Sequence, residues 1–348
     1  MNKKIKVLVV DDSLFFRGVL TKKLAEFSNI EVLGYARDAF EAKEKIPQLN
    51  PDVVTLDVEM PKVNGIEFLK QLLPEYPIPV VLVSSVNMNV FDALAAGAVD
   101  FVRKPDLSKT DSISSFMNEL ASKITIASRA KVTPNAHKSV ISTLSKTNFS
   151  PMKPSSLANG TIIALGASTG GTEATISVIK DLPPDTPGIL VVQHMPSGFT
   201  KMYAERLNRL CKMEVREAVD GDIVKNGLVL IAPGDYHMKL VKIGPNFVVK
   251  CYQAEKVSGH RPSVDVLFNS VAEVAKKNAV GIIMTGMGRD GAQGLLNMRK
   301  QGAYTIGQNK ESCVVYGMPM VAKNIGAVCI EASCENIPHV LRKHLSSL

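Results

Sequence analysis

Near its start the chain carries IKVLVV, residues 5–10, aliphatic at five positions of six. The run does not alternate polar with apolar, as a strand with one wet face would. Similar runs return at 53–56 (VVTL), 80–83 (VVLV) and 99–102 (VDFV), with a weaker one at 30–34. Strands apolar on both faces need cover on both faces, which parallel sheets obtain from the helices of their crossovers. Helical spacing fills the gaps, near 14–27, 38–48, 65–72, 88–96 and 111–124. Five strands alternating with five helices predict an α/β domain with a doubly wound, five-stranded parallel sheet.

The pattern stops at about residue 125. Residues 127–160, ASRAKVTPNAHKSVISTLSKTNFSPMKPSSLANG, hold Ser, Thr, Lys, Pro and Asn with single scattered hydrophobes. Such a stretch buries too little apolar surface to fold alone and reads as a flexible linker. We therefore divide the chain into 1–124, a basic linker at 125–158, and 159–348. The third part begins β-α-β over 161–167, 172–180, 188–194 and 199–211. Short β-like runs with turn signals at Asp220-Gly221-Asp222 and Asn226-Gly227 follow in 213–253, and predict an antiparallel hairpin insertion. Alternation then resumes to the end, predicting a second doubly wound, mostly parallel α/β domain.

Charge and composition narrow the function. The net charge of +8 divides into −2 for 1–124, +5 for 125–158 and +5 for 159–348. No dense basic helix results, which disfavours nucleic-acid binding. There is no Trp, and aromatics make up 5%. No stretch reaches the ~18 uninterrupted apolar residues of a membrane span, and too few apolar residues precede Asp11 for a signal peptide. The five cysteines (Cys211, Cys251, Cys313, Cys329 and Cys334) form no C-x-x-C pair. They read as reduced thiols, so a cytoplasmic protein is expected.

Two groups of residues carry chemistry. Asp11 and Asp12 end the first strand and Asp57 the third, while Ser84 follows the fourth and Lys104 the fifth. Ligands of open α/β sheets bind beyond the carboxyl ends of strands. If strands one and three are neighbours, three carboxylates converge, a set that repels itself unless a hard cation joins it. The second group starts from GASTG, 166–170. Ser168 stands where a dinucleotide loop needs its second glycine, so the stretch fits G-x-S-x-G instead, a turn that projects a serine hydroxyl. A hydroxyl nucleophile needs a base. His194, at the end of the next strand, leads His237 and His260. The orienting carboxylate is Asp290, in MTGMGRDGA, with Asp265 as rival; as an ordinary residue, Asp290 would cap the helix that follows it.

The segments VLVVDDS, DVVTLDVEMPKVNGIEFL, VVLVSS and DFVRKP resemble the receiver domain of bacterial two-component response regulators over about 1–124. The resemblance implies a flavodoxin-like fold, Asp57 as phospho-acceptor and Mg²⁺ held by Asp11, Asp12, Asp57 and the backbone carbonyl of Glu59. It implies Ser84 as switch hydroxyl, Lys104 at the phosphoryl group, Phe101 as the switch aromatic, and a cis bond at Lys104-Pro105. GASTGG, VVQHMPSGFT, APGDYHM, HRPSVDVLF and IIMTGMGRDGA resemble the catalytic domain of chemotaxis protein-glutamate methylesterases over about 160–346. That implies hydrolysis of glutamate methyl esters on chemoreceptors, with deamidation of receptor glutamines as a second activity. Ser168 is then nucleophile, His194 base and Asp290 orienting acid, while Thr169 and backbone N–H near Met287 serve substrate and oxyanion. No cofactor is implied for the esterase step. The implied partners are methyl-accepting chemoreceptors and a chemotaxis histidine kinase, with no nucleic acid and no membrane insertion. Three other readings stand beside it: a binding module without turnover, a transcriptional regulator, and a nucleotide enzyme.

Overall fold

The structure, a computed structural model, describes residues 3–60, 65–85, 89–105, 112–132 and 160–348. The chain divides into two compact units, Met1–Thr147 and Asn148–Leu348. Most of the expected linker, 133–158, lies outside the described residues.

In the first unit, β1 (Ile5–Val10), β2 (Ile30–Ala36), β3 (Val53–Asp57), β4 (Val80–Ser84) and β5 (Asp100–Arg103) form one sheet in the order β2-β1-β3-β4-β5. Every neighbouring pair is parallel. Between and after the strands come α1 (Leu14–Leu24), α2 (Ala39–Leu49), α3 (Gly65–Glu75), α4 (Asn89–Ala95) and α5 (Ser112–Ala127). β3 and β4 are buried at every position, as runs apolar on both faces require. The order places β1 beside β3, so Asp11 and Asp57 share one sheet edge at the reversal of winding. α5 continues to Ala127, three residues past the expected end at 124, because Ile124 and Ala127 are still buried against the domain. The cis X–Pro bond found among the described residues is Arg261-Pro262, not Lys104-Pro105.

In the second unit, β6 (Ile162–Ala167), β7 (Ile189–Gln193), β8 (Glu214–Glu217), β9 (Leu228–Ile231), β12 (Ala279–Ile283), β13 (Tyr304–Gln308) and β14 (Ile330–Ala332) make a sheet ordered β14-β13-β12-β6-β7-β9-β8. Its pairs are all parallel. The helices are α6 (Gly171–Ile179), α7 (Phe199–Leu210), α8 (Val264–Val274), α9 (Ala292–Lys300), α10 (Met318–Asn324) and α11 (Ile337–Leu345). On one face, Ile162, Ala164, Leu190 and Val192 pack with Leu267 and Phe268 of α8 and Met298 of α9 in a single buried cluster.

The expected hairpin is β10 (His237–Ile243) with β11 (Asn246–Tyr252), an antiparallel pair joined by a two-residue turn. β8 and β9, in the same β-like region, instead run parallel and extend the main sheet. The Asp220–Asp222 turn between them serves a different pairing. Gly221 N donates to Val249 O at 3.0 Å and Val249 N to Asp222 O at 2.9 Å, which stitches the connection onto β11.

Candidate active site

β6 is the first strand of its sheet, and later strands add on both sides of it: β7 on one, β12 on the other. The crevice at its carboxyl end is therefore the switch point of the winding, where open α/β sheets bind ligands. Ser168 leaves β6, His194 leaves β7, and Asp290 sits in the loop after β12. His194 N donates to Ala167 O at 3.1 Å and Ser168 N to Thr285 O at 3.0 Å, so the three strand ends are tied edge to edge.

The turn at Ser168 tolerates only small neighbours. Gly170 precedes α6 with φ +76°, a left-handed conformation open chiefly to glycine. A Cβ on Gly286 would stand 2.6 Å from Ser168 Cβ, so the loop after β12 touches the serine backbone directly. Met287 is the next residue, partly buried; Thr169 is buried, and its carbonyl accepts from Thr285 Oγ1 at 3.0 Å. Gln193 Nε2 donates to Ser168 O at 2.9 Å and holds the turn from the β7 side.

His194 and Asp290 are joined: Nε2 lies 2.8 Å from Asp290 Oδ2. The other imidazole nitrogen, Nδ1, is buried without a hydrogen-bond partner, so the link from His194 to the Ser168 hydroxyl is open in this structure. Links of this kind often close only around substrate. His260 stacks on the His194 ring at 3.7 Å between centroids and 8° between planes. The two rings thus lie face to face.

Asp290 is 1% exposed, yet it stays ionised. Burial alone would raise its pKa. The His194 hydrogen bond and charge, the Ser263 hydroxyl and the Asp265 amide outweigh burial and hold it at about 2. Its oxygens also accept from Val264 N at 2.8 Å and Asp265 N at 3.1 Å. Those amides open α8, where N–H groups lack helical partners and the dipole favours an anion. Asp290 therefore caps α8, not the helix that follows it; α9 is capped in position by Gly291. The rival Asp265 does the reverse service. It lies in the first turn of α8, and its Oδ1 accepts from Gly294 N, in the first turn of α9, at 2.7 Å. Burial and the nearby Asp290 charge raise its pKa.

Sequence reasoning missed one buried residue beside Asp290, Ser263, and weighed His237 only as a binding or surface histidine. Ser263 donates its hydroxyl to Asp290 Oδ1 at 2.7 Å, and Ser263 N approaches His237 Nδ1 at 3.3 Å. His237 is 1% exposed, a core histidine rather than a surface one. The signal for Ser263 was present in PSVDVLF: a serine before an apolar helical run is an N-cap candidate.

In the first unit Asp11, Asp12 and Asp57 each bring a carboxylate oxygen within 4.8 Å of the others. Lys104 Nζ lies 2.6 Å from Asp57 Oδ2 and 3.4 Å from Asp11 Oδ2. Burial raises the Asp11 carboxyl to about 6, with Lys104 opposing and the Asp57 charge adding. Asp57 is also raised, by burial against the pull of Lys104. Asp11 Oδ2 is buried and faces Lys104 Nζ at 3.4 Å without a hydrogen bond, an acceptor that a cation among three hard oxygen donors would satisfy more fully. The residues therefore fit Mg²⁺. Glu59 N donates to Asp57 Oδ1 at 3.0 Å, which ties the Glu59 backbone to this pocket, while its carboxylate meets Ser85 Oγ at 3.3 Å. Ser84 ends β4 fully buried, with its hydroxyl unpartnered, and Phe101 on β5 is 4% exposed.

Comparison with known proteins follows the same division. The family model of CheB methylesterases matches residues 163–341, and that of response regulator receiver domains matches residues 7–112. A protein-glutamate methylesterase/protein-glutamine glutaminase 2 of Syntrophomonas wolfei is 52% identical over 99% of this chain and 99% of its own. A protein-glutamate methylesterase/protein-glutamine glutaminase of Sulfurimonas denitrificans is 50% identical over 96% of each. The crystal structure of the Thermotoga maritima CheB methylesterase catalytic domain superposes with TM-score 0.53 at 38% identity, covering 54% of this chain and all of that one. Fold and matches together define a response regulator whose receiver domain is joined to an α/β hydrolytic domain. The chain belongs to the CheB methylesterase family.

Proposed function

We propose that the chain is a phosphorylation-regulated protein-glutamate methylesterase of chemotaxis that uses Ser168, His194 and Asp290. Its substrates are glutamate γ-methyl esters on the cytoplasmic helices of methyl-accepting chemoreceptors, and the same chemistry deamidates receptor glutamines. The carrying observation is His194, held to Asp290 through Nε2 with Nδ1 buried and unpartnered at the Ser168 strand end. The base is therefore Nδ1. It takes the Ser168 proton as Oγ attacks the γ-carbonyl, and the imidazolium is steadied by Asp290. Backbone N–H groups of Thr169 and Met287 serve the oxyanion, each such donor contributing about 3–4 kcal/mol in the transition state. His194 then returns the proton to the leaving methoxide, and methanol departs. Water, deprotonated by the same nitrogen, opens the acyl-enzyme and restores Ser168 and a glutamate carboxylate. With a glutamine substrate, ammonia leaves in place of methanol.

In the receiver domain, Asp57 is the phospho-acceptor and a histidine kinase the donor. Asp11, Asp12, Asp57 and the Glu59 carbonyl would hold Mg²⁺, which supplies charge neutralisation for phosphoryl transfer when bound. Lys104 neutralises the phosphoryl group, and the unpartnered Ser84 hydroxyl turns to it, with Phe101 completing the switch. Its location is the cytoplasm; among the described residues, no helix is long and apolar enough to cross a membrane. The test is Ser168→Ala, expected to abolish methanol release from methylated receptor while the thermal midpoint holds. Retained turnover would remove Ser168 from the mechanism.

A further inference from the structure

A carboxylate held by one hydrogen bond can swing about its Cβ–Cγ bond and carry the imidazole with it. Asp290 has four donors on two oxygens, and three of them come from residues 263–265: the Ser263 hydroxyl at 2.7 Å, Val264 N at 2.8 Å and Asp265 N at 3.1 Å. Ser263 is wholly buried. It touches this system twice, since its own N–H is received by His237 Nδ1 at 3.3 Å. The second His237 nitrogen, Nε2, lies 2.9 Å from Glu255 O. A backbone N–H can only donate and a carbonyl can only accept, so His237 is neutral with its proton on Nε2. One continuous row results, from the Glu255 carbonyl through His237, Ser263 and Asp290 to His194.

We infer that Ser263, with its backbone clamped by His237, is the positioning residue that fixes the plane of Asp290 and so the direction of the His194 base. The inference rests on the reading of Ser168, His194 and Asp290 as a triad. Because three α8 donors arrive from one helix start, the carboxylate cannot turn without unmaking them together. Removing the Ser263 hydroxyl leaves Oδ1 with Asp265 N alone, while Oδ2 keeps Val264 N and His194 Nε2. A small misdirection of a general base is costly, on the order of 100-fold per ångström of misplacement.

The experiment uses the full chain and methylated receptor. Ser263→Ala is expected to lower kcat about 10- to 100-fold with KM within about twofold, and to broaden or remove the low-field proton resonance of the His194–Asp290 bond. Ser263→Thr, which keeps the hydroxyl, is expected to recover most of both. His237→Leu should reproduce the defect, and His237→Asn, whose side-chain oxygen can accept from Ser263 N, should relieve it. These two keep the test open if Ser263→Ala folds poorly. A Ser263→Ala enzyme with kcat and low-field resonance unchanged overturns the inference. So does a loss of kcat that tracks thermal stability and is not relieved by threonine. Ser168→Ala is measured in parallel. If it retains turnover, the triad reading has failed and takes the inference with it; if it is inert while Ser263→Ala is normal, only the inference fails.

Discussion

Asp290 and Asp11 are both buried carboxyls, and their surroundings move them in opposite directions. Asp290, at the start of α8, is held at about 2 against an ordinary 3.8. It therefore contributes roughly 2 kcal/mol above about pH 4, lost as the pH falls through 2. Asparagine at this position would turn an NH₂ group toward donors that need an acceptor. Asp290→Asn is expected to lower kcat about 10³- to 10⁴-fold and to lower the thermal midpoint, read by methanol release and calorimetry. Asp11, beside Asp57 and raised to about 6, has the reverse sign. Its burial costs the folded receiver stability as the pH rises from about 4 to 6. A Mg²⁺ ion must displace that proton. Mg²⁺ affinity should fall by up to about tenfold per pH unit below 6, with proton release on binding near pH 6. Calorimetric titration in two buffers of different ionisation enthalpy measures both. A flat profile between about pH 5 and 7.5 would take Asp11 out of the ligand set.

Strands and helices of both domains were legible because runs such as VVTL and VVLV are apolar on both faces, which admits little besides a covered parallel strand. The use of individual caps was not legible. Sequence reasoning picked Asp290 as the orienting carboxylate, and as an ordinary residue offered it only to the next helix, the local use of an aspartate before a helical run. The structure sends it to an amide 26 residues away, and sends Asp265 to Gly294 in exchange. Such pairings depend on two helix starts meeting in space, and no local pattern encodes that. The Asn226-Gly227 signal misled for a related reason: the turn exists, but its flanks join a parallel edge and the neighbouring β11. The exchange of caps is testable at Asp265. Asp265→Ala should cost about 1 kcal/mol by uncapping α9. Asp265→Asn keeps an acceptor and removes the charge beside Asp290, so the midpoint at neutral pH should hold or rise. Equal losses in both variants would deny Asp265 its capping role.

On the scale of the whole molecule, one unit carries an acidic pocket with an unpartnered Ser84 hydroxyl and the other a hydrolytic crevice. Both sites were legible as chemistry-bearing residues at strand ends, and the strand orders show that each lies where the winding reverses. What phosphorylation does between them is a matter for the full chain. A small-molecule phosphodonor with Mg²⁺ should raise methanol release by the full chain and leave residues 159–348 unaffected. If the receiver restrains the crevice until phosphorylated, that fragment should already outpace the untreated full chain. A fragment no faster than the untreated protein would rule out such restraint. The fragment lies within the second of the two compact units of the chain, Asn148–Leu348.

The exchange between the α8 and α9 starts also bears on synthesis. A ribosome that has delivered the chain only as far as β11 has made the serine and the imidazole, but neither the carboxylate nor the helix end that cradles it. On the proposed triad, a nascent or truncated product ending before residue 290 lacks the orienting carboxylate, and full ester hydrolysis is expected only once the closing third of the domain has been made.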